Sequence, residues 1–207
     1  MHPADLVILV ADASMKAAIE GLLSRPAALG ISPVSRQVLI HPNRDPGCRL
    51  QSHELLRALQ RQFRYALVLF DLQGSGAVGK DRATVEAEVE ARLNAAGWKD
   101  RSAAIAIAPE LETWIWTDSP QVDRILGWQA RTPDLRSWLV SQGIHFDLAG
   151  KPANPKEAVE KALRHVRKPR SSVLYRELAE KVPFDHCQDP SFRKLRSCLA
   201  AWFGHRR

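Results

Sequence analysis

Residues 64–76 read RYALVLFDLQGSG: a continuous apolar run, an acid at Asp71, and a loop holding Gly74, Ser75 and Gly76. The run is too short to cross a membrane and too uniformly apolar for an edge strand, which predicts the buried central strand of a parallel sheet. Ligands of open α/β sheets bind outside the carboxyl ends of the strands, so Asp71 stands where chemistry is usually done. A carboxylate there is a candidate ligand for Mg²⁺, which takes a few carboxylates and completes its shell with water and phosphate. The alternative is that Asp71 only caps the following loop through an Asx turn.

Upstream of this strand, residues 6–10 form a first apolar run, and Asp12 or Ser14 can cap a helix carrying Ile19, Leu22 and Leu23. Residues 36–40 read as a second strand. The following HPNRDPGC, with Pro42, Pro46 and Gly47, reads as a turn-rich loop, after which Ser52 would cap a helix bearing Leu55, Leu56, Leu59 and Phe63. Downstream, Asp81 can cap a helix with Val85, Val89 and Leu93 inward and Glu86, Glu88 and Glu90 toward water, stopped by Gly97. Residues 102–108, SAAIAIA, supply the fourth strand. Strands separated by helical crossovers predict an α/β fold with a βαβαβαβ four-stranded parallel sheet, complete by about residue 108.

Directly after the fourth strand comes PELETWIWTDSP, residues 109–120. Glu110, Glu112 and Asp118 follow that strand as Asp71 and Asp12 follow theirs, which places all five acids at one edge of the sheet. Pro109 suits the first position of a helix, and if the segment is helical from there Glu112 and Trp116 stack at i, i+4; the tryptophans are expected in the core. Alternatively, the glutamates merely favour a helix N-terminus through its dipole. From Pro120 the chain is helical and punctuated by glycine and proline. The connector of residues 143–154 divides residues 1–142, an α/β domain, from residues 143–207, a basic helical extension packed on it.

Charge sharpens that division. Residues 1–150 hold 16 basic against 17 acidic side chains, and residues 151–207 hold 14 against 6. A neutral body with a basic tail suits a polyanion, so DNA or RNA is the expected partner, met by Lys168, Arg170, Arg193, Lys194 and Arg196. No basic segment precedes the first apolar run and Asp12 interrupts it, so neither a signal peptide nor a membrane partner is expected. Cys48, Cys187 and Cys198 form neither a disulfide framework nor a zinc pattern, which fits a reducing cytoplasm. The histidines, His186 among them, show no metal-ligand spacing. The DLQGSG loop lacks the Gly-Lys-Ser/Thr ending of a phosphate-binding loop.

In order along the chain, VADASMKAAIEGLL, ALVLFD, PELETWIWTDSP and KPRSSVLY resemble the Toprim (topoisomerase-primase) fold. They are more similar to its small stand-alone prokaryotic branch, which is related to OLD-type nucleases. The closest resemblance is to the small Toprim-like subunit of bacterial methylation-associated anti-phage defence systems. NPKEAVEKAL, KPRSSVLYRELAEKV and CQDPSFRKL are similar to that branch's tail. The resemblance implies an acid after the first strand, an Asp-x-Asp after the third and further acids after the fourth. Asp71 matches the first acid of Asp-x-Asp, Glu112 the Glu of a Glu-x-Trp, and Asp118 the acid a turn later. The chain departs from the pattern at Ala11–Asp12, where a Glu is expected, and at Gln73, where the second Asp would stand.

Two functions follow. One is Mg²⁺-dependent phosphodiester cleavage on nucleic acid, with Asp71, Glu112 and Asp12 catalytic, Asp118 joining them on the metal, and Lys168 and Arg170 on phosphate. The other is a catalytically degenerate Toprim-like module that binds nucleic acid or a partner subunit. In either case other defence-system proteins are the expected partners.

Overall fold

The computed structural model describes residues 3–185 and 187–205, so His186 lies outside it. Four strands, β1 (Ala4–Val10), β2 (Arg36–Ile40), β3 (Phe63–Asp71) and β4 (Ser102–Ile107), form one all-parallel sheet in the order β2-β1-β3-β4. The fold is thus α/β, a parallel sheet flanked by helices with a helical C-terminal extension, the layout expected of a Toprim-like chain. The apolar run of β3 lies between β1 and β4, and Ala66–Phe70 is buried throughout, as a strand covered on both faces requires.

Register sets the position of the site. Val10 pairs with Ile40 on one side and Leu69 on the other, and Asp71 pairs with Ile107. The carboxyl ends of all four strands are therefore level, and whatever follows each strand emerges at one edge.

Between the strands run α1 (Ala13–Leu23), α2 (Pro26–Leu29), α3 (Arg44–Arg57) and α4 (Arg82–Leu93). Asp12 caps α1 by accepting from the Met15 N–H at 2.8 Å, and Asp81 caps α4 in the same way through Thr84. Gly97, at φ 96°, ends the helical run after α4 in a conformation that penalises any other side chain. Past β4 follow α5 (Pro120–Ile125), α6 (Leu135–Ser141), α7 (Pro155–His165), α8 (Ser172–Lys181) and α9 (Pro190–Phe203). The extension is wrapped closely onto the sheet domain: α8 lies along α1, and α9 packs against β4 and α2. Among the described residues no helix is long and apolar enough to cross a membrane.

Four readings are corrected. The HPNRDPGC segment is not a loop, because α3 starts at Arg44 and runs through it. Pro46 falls in the first turn, where its missing N–H breaks no intrahelical bond, so a proline that looks like punctuation is tolerated. Ser52 is accordingly a buried mid-helix residue, not a cap. Residues 109–112 do not begin a helix. Glu110 is extended, with φ −159° and ψ 168°, the Leu111 N–H is given to Asp71, and only a short 3-10 turn, Leu111–Trp114, follows. Glu86 does not face water: it is buried against β4.

Candidate metal centre

Each acid at the edge of the sheet arrives by its own strand. Asp12 follows β1, Asp45 sits in the first turn of α3 after β2, Asp71 closes β3, and Glu110 and Glu112 follow β4. Asp71, Glu110 and Glu112 each offer a carboxylate oxygen, and these ligand atoms lie within 4.8 Å of one another. This buried acidic group can hold a metal ion.

Hydrogen bonds orient all three. Asp71 Oδ1 accepts from the Leu111 N–H at 2.8 Å, and Glu110 Oε1 accepts from the Lys156 N–H at 3.0 Å. Glu112, 1% exposed, receives two donors on Oε1, the Arg170 guanidinium at 2.6 Å and the Tyr175 hydroxyl. Arg170 also donates to the Tyr175 oxygen at 2.6 Å, closing a three-membered network. Among the described residues the second oxygen of each of the three carboxylates accepts no hydrogen bond. One oxygen fixed and one left over is how outer partners present a carboxylate to a cation.

Electrostatics point the same way. Burial, then the charges of Asp45, Glu112 and Asp12, hold the Asp71 carboxyl well above the usual carboxylate range, against the pull of the Leu111 N–H. Asp45 is raised by burial and by Asp12, opposed by the Asp71 N–H that it accepts at 2.8 Å. Glu110 is raised by burial and by Glu112, opposed by Lys156 and Arg170. Gly74 belongs to the same arrangement: a Cβ there would stand 2.8 Å from Asp45 Oδ2, so a larger residue would displace that carboxylate from the Asp71 loop.

No family model, no curated protein and no solved structure matches this chain. What the edge can do is therefore read from its donors. They are hard oxygen ligands without thiolate or imidazole, a set suited to Mg²⁺, Mn²⁺ or Ca²⁺ and poorly suited to zinc or copper.

The structure brings Asp71 and Glu112 together, as expected from their strands. Asp12 shares the edge, and its charge reaches Asp71 and Asp45, but its carboxylate caps α1 and is not one of the three. Asp118 is exposed, and its charge acts on Asp123, away from the triad. The tail cations divide. Lys168 donates to the Ile125 carbonyl at 2.6 Å, and Arg170 serves Glu112. Lys194 bridges Glu86 at 3.1 Å and Glu90 at 2.7 Å, and Arg196 lies 5.9 Å from the Phe184 ring centroid. Arg193 is exposed. Asp45, Glu110 as a ligand, and Tyr175 were missed. Asp45 obeys the rule that singled out Asp71, an acid just past a parallel strand, and was hidden by the misread proline. Tyr175 carried no sequence signal, since it meets Glu112 across 63 positions of chain.

Proposed function

We propose that the protein is a Toprim-like component of a bacterial anti-phage defence system, cytoplasmic, whose acidic edge binds Mg²⁺ and acts on phosphodiester bonds of nucleic acid. The observation that carries this reading is the triad: three carboxylates at the carboxyl edge of a parallel sheet, each offering an oxygen within 4.8 Å of the others and each oriented by a hydrogen bond. Bound Mg²⁺ in such a site supplies Lewis-acid polarisation of a phosphoryl oxygen and a water of lowered pKa. The chain's own residues do the rest. Asp71, Glu110 and Glu112 provide the oxygens, Tyr175 and Arg170 keep Glu112 from rotating, and Arg170, its side chain 34% exposed, presents positive charge to an incoming phosphate. Ala11–Asp12 and Gln73 depart from the family pattern, so one ion rather than two is expected. Activity of the isolated protein is then weak and raised by the other proteins of the system.

A second reading has its own support: Glu112 Oε1 is committed to an internal network, as in a structural ion pair retained by a non-catalytic module that binds nucleic acid or a partner. Calorimetric titration with Mg²⁺ and Mn²⁺, and cleavage of plasmid and oligonucleotides, separate the two. Wild type is compared with Asp71→Asn and Glu110→Gln, alone and with the neighbouring defence proteins. Metal-dependent cleavage lost in both variants is the expected result. Absence of metal binding, with full phage resistance in cells carrying both substitutions, would leave the non-catalytic module.

A further inference from the structure

Three aromatic rings meet where α6 and α7 cross, away from the acids. Trp128 is the buried base, 3% exposed, its indole N–H donating to the Pro133 carbonyl at 3.0 Å. Trp138 on α6 lies 4.7 Å from it between ring centroids, and His165 at the end of α7 lies 4.6 Å from Trp138 and 5.1 Å from Trp128. Interplanar angles of 32–44° make this an open fan, not an edge-on core contact. Trp138 is half-buried and His165 exposed, so the outer rings of the fan meet water.

Three arginines stand beside the fan. The Arg131 guanidinium stands 5.7 Å from the Trp128 ring centroid, its Nε donating to the Gly127 carbonyl at 3.1 Å. Arg164 and Arg167 flank His165 in the chain. All three arginines are exposed, and among the described residues none forms an ion pair. The nearby acid Asp134 is exposed but caps α6, accepting from the Ser137 N–H and hydroxyl, and forms no ion pair with these arginines.

We propose that Trp138 and His165 are a stacking platform for an unpaired base of single-stranded nucleic acid, with Arg131, Arg164 and Arg167 on the adjoining phosphates. Rings that meet water beside exposed arginines that form no ion pair are what sequence-tolerant single-strand binding uses, stacking for the bases and charge for the backbone. A duplex keeps its base faces in its own stack and cannot use the rings. The geometry also links the platform to the acidic edge. Lys156, whose N–H holds Glu110, is at the start of α7 and His165 at its end, nine residues or roughly 14 Å along one helix. A strand stacked at His165 has its next few nucleotides within reach of the triad. The inference rests on the nucleic-acid reading above and names its substrate form.

The test is fluorescence anisotropy of the full-length protein with labelled oligothymidylate and with a duplex of equal length, in EDTA so that the metal site plays no part. Single strand should bind more tightly than duplex. His165→Ala should weaken it at least about fivefold, the weight of one stacked base. His165→Phe should keep wild-type affinity, and the Arg164→Glu/Arg167→Glu pair should abolish binding at moderate salt. His165 is exposed, so these variants should fold, which circular dichroism checks. Wild-type affinity in a folded His165→Ala, or equal affinity for duplex, overturns the platform and leaves the nucleic-acid reading standing. No binding of either probe by wild type overturns both.

Discussion

Burial and the surrounding acids hold the Asp71 carboxyl above its ordinary range, so the folded protein keeps a proton there at a pH where the unfolded chain has lost it. Stability therefore falls as pH rises above the ordinary carboxylate value of about 4, through the window up to the raised pKa, and is regained on acidification. Asp45 and Glu110 are shifted the same way and add to the slope. Asp5 and Asp189 are shifted down and act only in stronger acid. In EDTA, the melting temperature of wild type should rise as pH is lowered from neutral to about 5.5. Asp71→Asn keeps an acceptor for the Leu111 N–H without the charge, so it should melt about 2–4 °C higher at neutral pH, with a shallower pH dependence. Scanning calorimetry checks both, and an unchanged slope in the variant would contradict the electrostatic account of the edge.

Strand β4 ends the sheet, and its outward N–H groups would be open to another strand if nothing covered them. Two glutamates of α4 do: Glu90 accepts from the Ala104 N–H at 3.0 Å and Glu86 from the Ala106 N–H at 2.9 Å. Lys194 from α9 joins both carboxylates, and Arg82 adds a contact of 2.6 Å to Glu86. Burial would lower the Lys194 pKa, but Glu90 and Glu86 outweigh it and raise it. Glu86→Leu should leave a buried N–H and two cations short of partners, costing about 2–4 kcal/mol in urea unfolding. Glu90→Leu, at a position 29% exposed, should cost only about 1 kcal/mol. Equal, small effects at the two positions would show that the edge is closed by packing alone.

At the scale of the whole molecule, residues 143–207 complete interactions that residues 1–142 begin. Tyr175 and Arg170 satisfy Glu112, the Pro155 carbonyl accepts from the buried Trp116 indole at 3.1 Å, and Ser191 accepts from Trp114 at 2.9 Å. Helix α8 covers α1 so closely that a Cβ on Gly21 would stand 2.8 Å from the Arg176 carbonyl. A fragment of residues 1–142 would expose that face and leave a buried carboxylate without donors. It should aggregate or melt without a cooperative transition, whereas the full chain should give a single one by calorimetry. A well-folded fragment with a sharp melt would mean that the extension is an independent unit.

Local features were readable without the fold. The apolar run of β3, the caps at Asp12 and Asp81, the stop at Gly97 and the span of α9 all follow from short-range chemistry, namely period, capping and backbone freedom, which acts over a few residues. The same holds for placing Asp71 and Glu112 at one edge, since parallel strands deliver their carboxyl ends together. Only the tertiary structure decided that Asp45 joins that edge, that Glu110 turns a carboxylate oxygen to Asp71 and Glu112, that Tyr175 and Arg170 lock Glu112, and that Glu86 and Lys194 meet at the margin of β4. These depend on which distant segments are brought within a few ångströms, and on the low-dielectric surroundings that burial creates. A carboxylate that reads as a solvated helix face can equally be the partner of an open strand edge, and only the position of the next helix tells them apart.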